Sequence, residues 1–128
     1  MNVLTRTSED TTRLETHQVA DYLLTRFGRT FVAYVTGSRS RSMPALWATD
    51  PSDAKHVTPS DDKVRRLRAA HTIATAIENN ENDQVARSWL IAGNPRLGGR
   101  TPADLIREDE LPAVFAAATA FLEGTYSA

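Results

Sequence analysis

The stretch Asn94-Pro95-Arg96-Leu97-Gly98-Gly99-Arg100-Thr101-Pro102 constrains this chain more than any other. Two prolines and two adjacent glycines so close together break both helix and strand. Asn94 before Pro95 is biased to extended backbone. Gly98 and Gly99 can adopt positive φ and reverse the chain tightly. Thr101 can cap a helix whose first position, Pro102, has no N–H to leave unpaired. The segment reads as a fixed corner between a helix carrying Trp89-Leu90 and a short one over Asp104-Leu105-Ile106. Nothing in it resembles reactive chemistry. It reads as a shaped surface, with Trp89 as the anchor that holds it to the core.

The rest of the chain repeats this grammar of apolar stripes between caps. Residues 1–15 are polar and are expected to form a flexible tail. Thr16 is placed to cap a helix over His17–Arg26, with Val19, Ala20, Leu23, Leu24 and Phe27 inward and Gly28 as its left-handed stop. Thr30 opens Phe31–Thr36, which stops at Gly37. Ser42 opens a helix over Met43–Ala48, with Pro44 in its first turn. Residues 49–59 form a loop by composition. Ser60 then caps a long helix, striped by Val64, Leu67, Ala70, His71, Ala74 and Ile77, that ends at Asn79-Asn80. Asn82 starts the next. The last helix, from about Leu111, carries Val114, Phe115, Ala118, Phe121 and Leu122 and is expected to stop at Gly124. No stretch alternates with period two. The fold expected is all-α, with a helix-turn-helix-like bundle over 16–59 and a small helical C-terminal domain over 60–128.

Composition narrows the function. A chain of 128 residues without cysteine excludes disulfides, thiolate nucleophiles and thiolate metal sites. His17, His56 and His71 do not recur at metal-ligand spacing, and His71 falls on a buried stripe. No nucleotide loop or nucleophile elbow is present, so neither a cofactor nor an enzymatic activity is expected. The acidic run Glu108-Asp109-Glu110 reads as the cap region of the final helix. The start of the chain lacks the apolar core of a secretory signal, and a cytoplasmic location is expected. Charge is uneven: residues 1–68 carry eleven Lys/Arg and eight Asp/Glu, residues 69–128 four and eight. The basic half is the candidate for a polyanion.

Within that half, residues 29–49 fit a helix-turn-helix template. Ala33 sits where two helices cross, Gly37 four positions later permits the turn, and Met43 and Leu46 follow at the spacing that packs a second helix back on the first. Val32 fills the remaining inward position. Arg39, Arg41, Ser42, Ala45 and Thr49 would then face DNA, arginine being able to read guanine and the hydroxyls either base or phosphate. The same spacing also suits a purely structural corner. Arg65, Arg66 and Arg68 could add phosphate contacts or form a solvated helix face.

In order, Ala86-Arg87-Ser88-Trp89-Leu90, the Asn94–Pro102 corner, Asp104-Leu105-Ile106 and a terminal helix running from Val114 to Gly124 resemble the antitoxins of the Xre/MbcA/ParS type. The similarity covers about residues 70–126, with a weaker one over 17–50. The corner here departs from the usual Glu-x-Gly end of an Xre recognition helix, reading Trp47-Ala48-Thr49-Asp50. The resemblance implies that 60–128 is a toxin-binding domain and that the partner is an NAD-degrading toxin of the RES-domain class. It further implies repression of the chain's own operon through operator DNA. It assigns toxin contacts to Asn94, Arg96, Leu97, Arg100, Glu123, Thr125 and Tyr126. Tyr126 lies past the expected helix stop, where an aromatic suits either a plug for a partner's pocket or a loose end. A regulator without a toxin partner is the alternative. A homodimer, or a hetero-oligomer with the toxin, is expected.

Overall fold

The computed structural model describes residues 2–127, and their side chains as far as Gly124. Among these residues there are seven α-helices, one 3₁₀ turn and no strand, as the cap-and-stripe pattern requires. The elements are α1 (Val3–Arg13), α2 (Thr16–Thr36), α3 (Met43–Ala48), α4 (Asp61–Asn80), α5 (Asp83–Ile91), the 3₁₀ turn (Pro95–Leu97), α6 (Pro102–Arg107) and α7 (Leu111–Ser127).

The central strut is α4. Its face of Leu67, Ala70, Ile73, Ala74 and Ile77 is completely or almost completely buried, and α1, α2, α5, α6 and α7 all pack against it. One hydrophobic cluster runs from Leu4 in α1 through Val19, Val32, Trp47, Ile73, Leu90 and Ile106 to Leu122 in α7, drawing on both sides of the 59/60 boundary.

Several local expectations hold. Gly28 interrupts α2 between the two runs read from the sequence, but with a positive-φ extended step (φ 84°, ψ 165°) in place of the left-handed cap expected there. Gly37 is left-handed at the end of α2. Asn82 caps α5 by accepting the Val85 N–H at 2.9 Å. Thr101 caps α6 by accepting the Asp104 N–H at 3.0 Å, and Asp104 returns the favour to the Thr101 N–H in a capping box.

Other expectations are corrected. Within the expected 1–15 tail, the described residues from Asn2 on are not loose: α1 is a helix capped by Asn2, with Leu4 and Thr11 buried. Thr11 Oγ1 lies 2.9 Å from Nδ1 of buried His71, and the Arg68 guanidinium donates to the Thr11 and Leu14 carbonyls at 2.7 and 3.0 Å. Those bonds satisfy carbonyls that a helix C-terminus otherwise leaves open. The residue that caps α2 is Glu15, paired with Gln18 in a capping box, so Thr16 is already helical. Ser42 and Ser60 stand at helix starts but make no side-chain cap bond; Ser60 donates to Asp62 at 2.5 Å instead. Gly124 does not stop α7, which continues to Ser127. Arg65, Arg66 and Arg68 are not a free basic face, for they bond to Asp109, Asp62 and the end of α1 respectively.

Candidate functional site

The glycine-proline corner is built from backbone closure. The Asn94 N–H donates to the Arg100 carbonyl at 2.9 Å, while the Asn94 carbonyl accepts from Leu97 and Gly99, both at 2.9 Å. Its side chain accepts the Arg96 N–H at 2.9 Å. Gly98 (φ 67°) and Gly99 (φ 84°) supply the left-handed steps. Gly93 closes the loop from the other side: a Cβ there would lie 2.8 Å from the Gly99 carbonyl oxygen, so no larger residue fits without the strands of the loop parting. Gly93 carries no local signal in the sequence, because its need depends on a contact six residues away.

Each residue assigned to toxin contact has a definite place. Asn94 is half-buried and acts as the hub of the corner. Leu97 packs against the core, and the 3₁₀ turn touches α7. Arg96 is exposed at the tip, with no partner among the described residues. Arg100 is exposed and forms an ion pair with Glu108. Glu123 is exposed and borders a cleft of about 230 Å³ against Asn2, Val3, Leu4 and Arg6 of the first helix. The side chains of Thr125 and Tyr126 lie outside the described residues. Trp89, expected as the anchor, is half-buried, its ring tilted against Phe121 at 6.1 Å, while the fully buried tryptophan is Trp47.

The acidic trio does not act as a unit. Glu108 pairs with Arg100, and Asp109, at φ 64°, takes a two-pronged bond from Arg65 at 2.9 and 2.7 Å. That guanidinium holds the Asp109 carboxyl below the usual range. Among the described residues no group of three His, Asp or Glu side chains could hold a metal ion.

The second candidate surface is the α2–α3 corner. Ala33 is buried, and Met43 packs on the core. Arg39, Arg41, Ser42 and Ala45 are exposed, and neither arginine has a partner among the described residues. Thr49 differs from expectation: it is half-buried, its hydroxyl donates to the Leu46 carbonyl at 2.8 Å, and its carbonyl faces His56 Nδ1 at 2.9 Å. A hydroxyl that closes its own helix is not aimed outward.

The two corners are physically joined. The Tyr34 hydroxyl, on α2, donates to Asp104 at the start of α6. Arg107 donates to the Tyr34 carbonyl at 2.7 Å and lies over its ring at 4.7 Å. The hydrogen bond raises the Tyr34 pKa and lowers that of Asp104. Neither Tyr34 nor Arg107 stood out in the sequence, although Tyr34 falls off the buried phase of its helix.

No helix among the described residues is long and apolar enough to cross a membrane. The chain matches none of the curated proteins and none of the solved structures compared with it. Residues 74–114 match the family model of the antitoxin Xre/MbcA/ParS C-terminal toxin-binding domain. The matched segment runs from the second half of α4 through α5, the corner and α6 into the start of α7. That match supports an antitoxin of the Xre/MbcA/ParS type, with the similarity to its toxin-binding domain confined to residues 74–114.

Proposed function

We propose that the chain neutralises an NAD-degrading toxin of the RES-domain class and represses its own operon, residues 60–128 holding the toxin and residues 16–59 the operator. One observation supports this most: the toxin-binding match covers the corner whose polar groups are used to fix its own shape. A surface already rigid loses little entropy when a partner docks. Asn94, Leu97 and Arg100 set that shape, and Arg96 and Glu123 are the exposed side chains offered to the toxin.

The operator half of the proposal is supported by the free guanidinium groups of Arg39 and Arg41 at the approach to α3. The same feature supports the second reading, a stand-alone regulator with no toxin.

Co-expression with the neighbouring gene separates the two. The neighbour alone should arrest growth and deplete NAD, and this chain should restore both and co-purify with it. A harmless neighbour, or one that does not co-purify, sinks the antitoxin reading. Binding to the upstream DNA should weaken with salt at a slope of about −0.9 per phosphate neutralised. No shift of that DNA removes the operator half and leaves toxin binding alone.

A further inference from the structure

A groove of about 500 Å³ runs between α2 and the matched toxin-binding segment. Phe27, Phe31 and Tyr34 form one wall, and Ile91 and Ala103 line the other. Phe27 and Phe31 stack at 4.5 Å, which gives the floor a rigid apolar surface. Ile91 is 60% exposed and Tyr34 42% exposed, far above what a core demands of such side chains. The charged residues lining the groove are Arg26 and Arg87, with no carboxylate. Arg26 is held by Glu78, while Arg87 is exposed and has no partner among the described residues.

We infer that this groove is part of the toxin interface, and that it takes an apolar segment of the toxin carrying a carboxylate beside its buried side chains. The inference rests on the antitoxin reading above and adds a site to it. Two observations favour a toxin segment as the occupant. Arg87, Ile91, Thr101 and Ala103 belong to the matched toxin-binding stretch, so the groove continues that surface onto α2. An unpaired guanidinium over an apolar floor is complemented by an acidic, apolar chain and repels a basic one. The arrangement also has a consequence. A segment seated against Phe31 and Tyr34 touches the helix that ends at Thr36, three residues before Arg39, so toxin contact reaches the other corner directly.

The test is a titration of the purified chain against the purified protein of the neighbouring gene, with Ile91→Asp and Arg87→Glu as variants. Both positions are exposed, and circular dichroism should show wild-type helix content. The expected result is a Kd raised about 30-fold by Ile91→Asp, the size of a hot-spot loss, and about tenfold by Arg87→Glu. Wild-type affinity in both variants overturns the groove assignment and leaves the antitoxin reading standing. A change in the sedimentation of the chain alone, with toxin affinity unaltered, makes the groove a seam between two copies and also overturns it. No binding by the wild-type chain overturns the antitoxin reading and the groove together.

Discussion

At the α2–α3 turn the left-handed residue is Gly37; at the α5–α6 turn Gly98 and Gly99 serve the same purpose. Around Gly37 the local bonds are few and short-range, between Ser38, Ser40 and Ser42, and the two arginines of the turn are left to solvent. Around Gly98 almost every polar group is used inward: Asn94, Thr101, Asp104 and Arg100 all have partners within the corner or on its flanking helices. The first corner offers charge and the second offers shape. The difference teaches that counting polar residues in a turn says little about recognition; what matters is whether their donors and acceptors are already engaged.

The largest test of this contrast uses the two tryptophans. Trp47, 2% exposed behind the first corner, is a core residue. Trp47→Ala should cost about 3–5 kcal/mol of unfolding free energy, the range for a large buried aromatic. Trp89, half-buried behind the second, should cost about 1–2 kcal/mol on the same change, because its ring keeps some solvent contact already. Urea denaturation reads both. Equal losses would mean that the second corner is as dependent on its aromatic as the first, contrary to the view that backbone closure holds it.

Behind both corners lies the seam of α1, α2 and α4, where His71 is buried against Thr11 and the Tyr22 ring. Burial first, then the Arg68 and Arg26 charges, push its pKa down to about 4, with Glu78 opposing weakly. The unfolded chain binds that proton nearer the ordinary value, so between pH 6.5 and 4 it holds more protons than the native state. Stability is therefore full above about pH 6.5 and falls on acidification, by about 3 kcal/mol at pH 4. His71→Gln should flatten that loss in urea midpoints taken at pH 7 and pH 4.5. An unchanged slope would move the acid sensitivity to the carboxylates, whose window lies lower. Acid should weaken the shared support, so the two corners are expected to loosen together.

How much of this could be read in advance differs between the corners for a physical reason. Gly28, Gly37, Gly98, Gly99, Asn82 and the Thr101-Pro102 cap were legible because each acts on its immediate neighbours. The helix α1 was not legible, since only Val3 and Leu4 give it an apolar stripe and its other anchors, His71 and Arg68, lie more than fifty residues along the chain. Arg65 and Arg68 looked available for phosphate because their partners, Asp109 and the end of α1, are also distant in the chain, whereas Arg66 is taken by Asp62 only four residues before it. Of the candidate DNA-facing set, Arg39, Arg41, Ser42 and Ala45 are exposed as expected, while the Thr49 hydroxyl found a nearer acceptor. Tyr34 and Ile91 were missed because exposure, unlike propensity, is decided by what packs next to a residue.

The glycines sharpen the contrast at a smaller scale. Gly93→Ala should cost about 1–3 kcal/mol, since its Cβ would meet a backbone oxygen that cannot move without opening the Asn94–Arg100 closure. Gly37→Ala meets nothing within 4 Å and should cost only the left-handed backbone penalty, about 1–2 kcal/mol. The distinguishing readout is toxin affinity: Gly93→Ala should weaken it because the corner's shape changes, and Gly37→Ala should leave it alone.

The smallest stability effects belong to the arginines, and there the order of the two corners should reverse between stability and function. Arg39→Ala and Arg41→Ala remove side chains without partners among the described residues and should change unfolding free energy by no more than about 0.5 kcal/mol. Arg100→Ala breaks an exposed ion pair with Glu108 and should cost at most about 1 kcal/mol. In operator binding, however, Arg39→Ala and Arg41→Ala should each lose about 1–3 kcal/mol if they read bases, while Arg100→Ala should be silent. A loss that is uniform across DNA sequences, with a shallower salt slope, would reassign both arginines to phosphate contact. An operator defect in Arg100→Ala would mean instead that the second corner also meets DNA, and the division between charge and shape would fail.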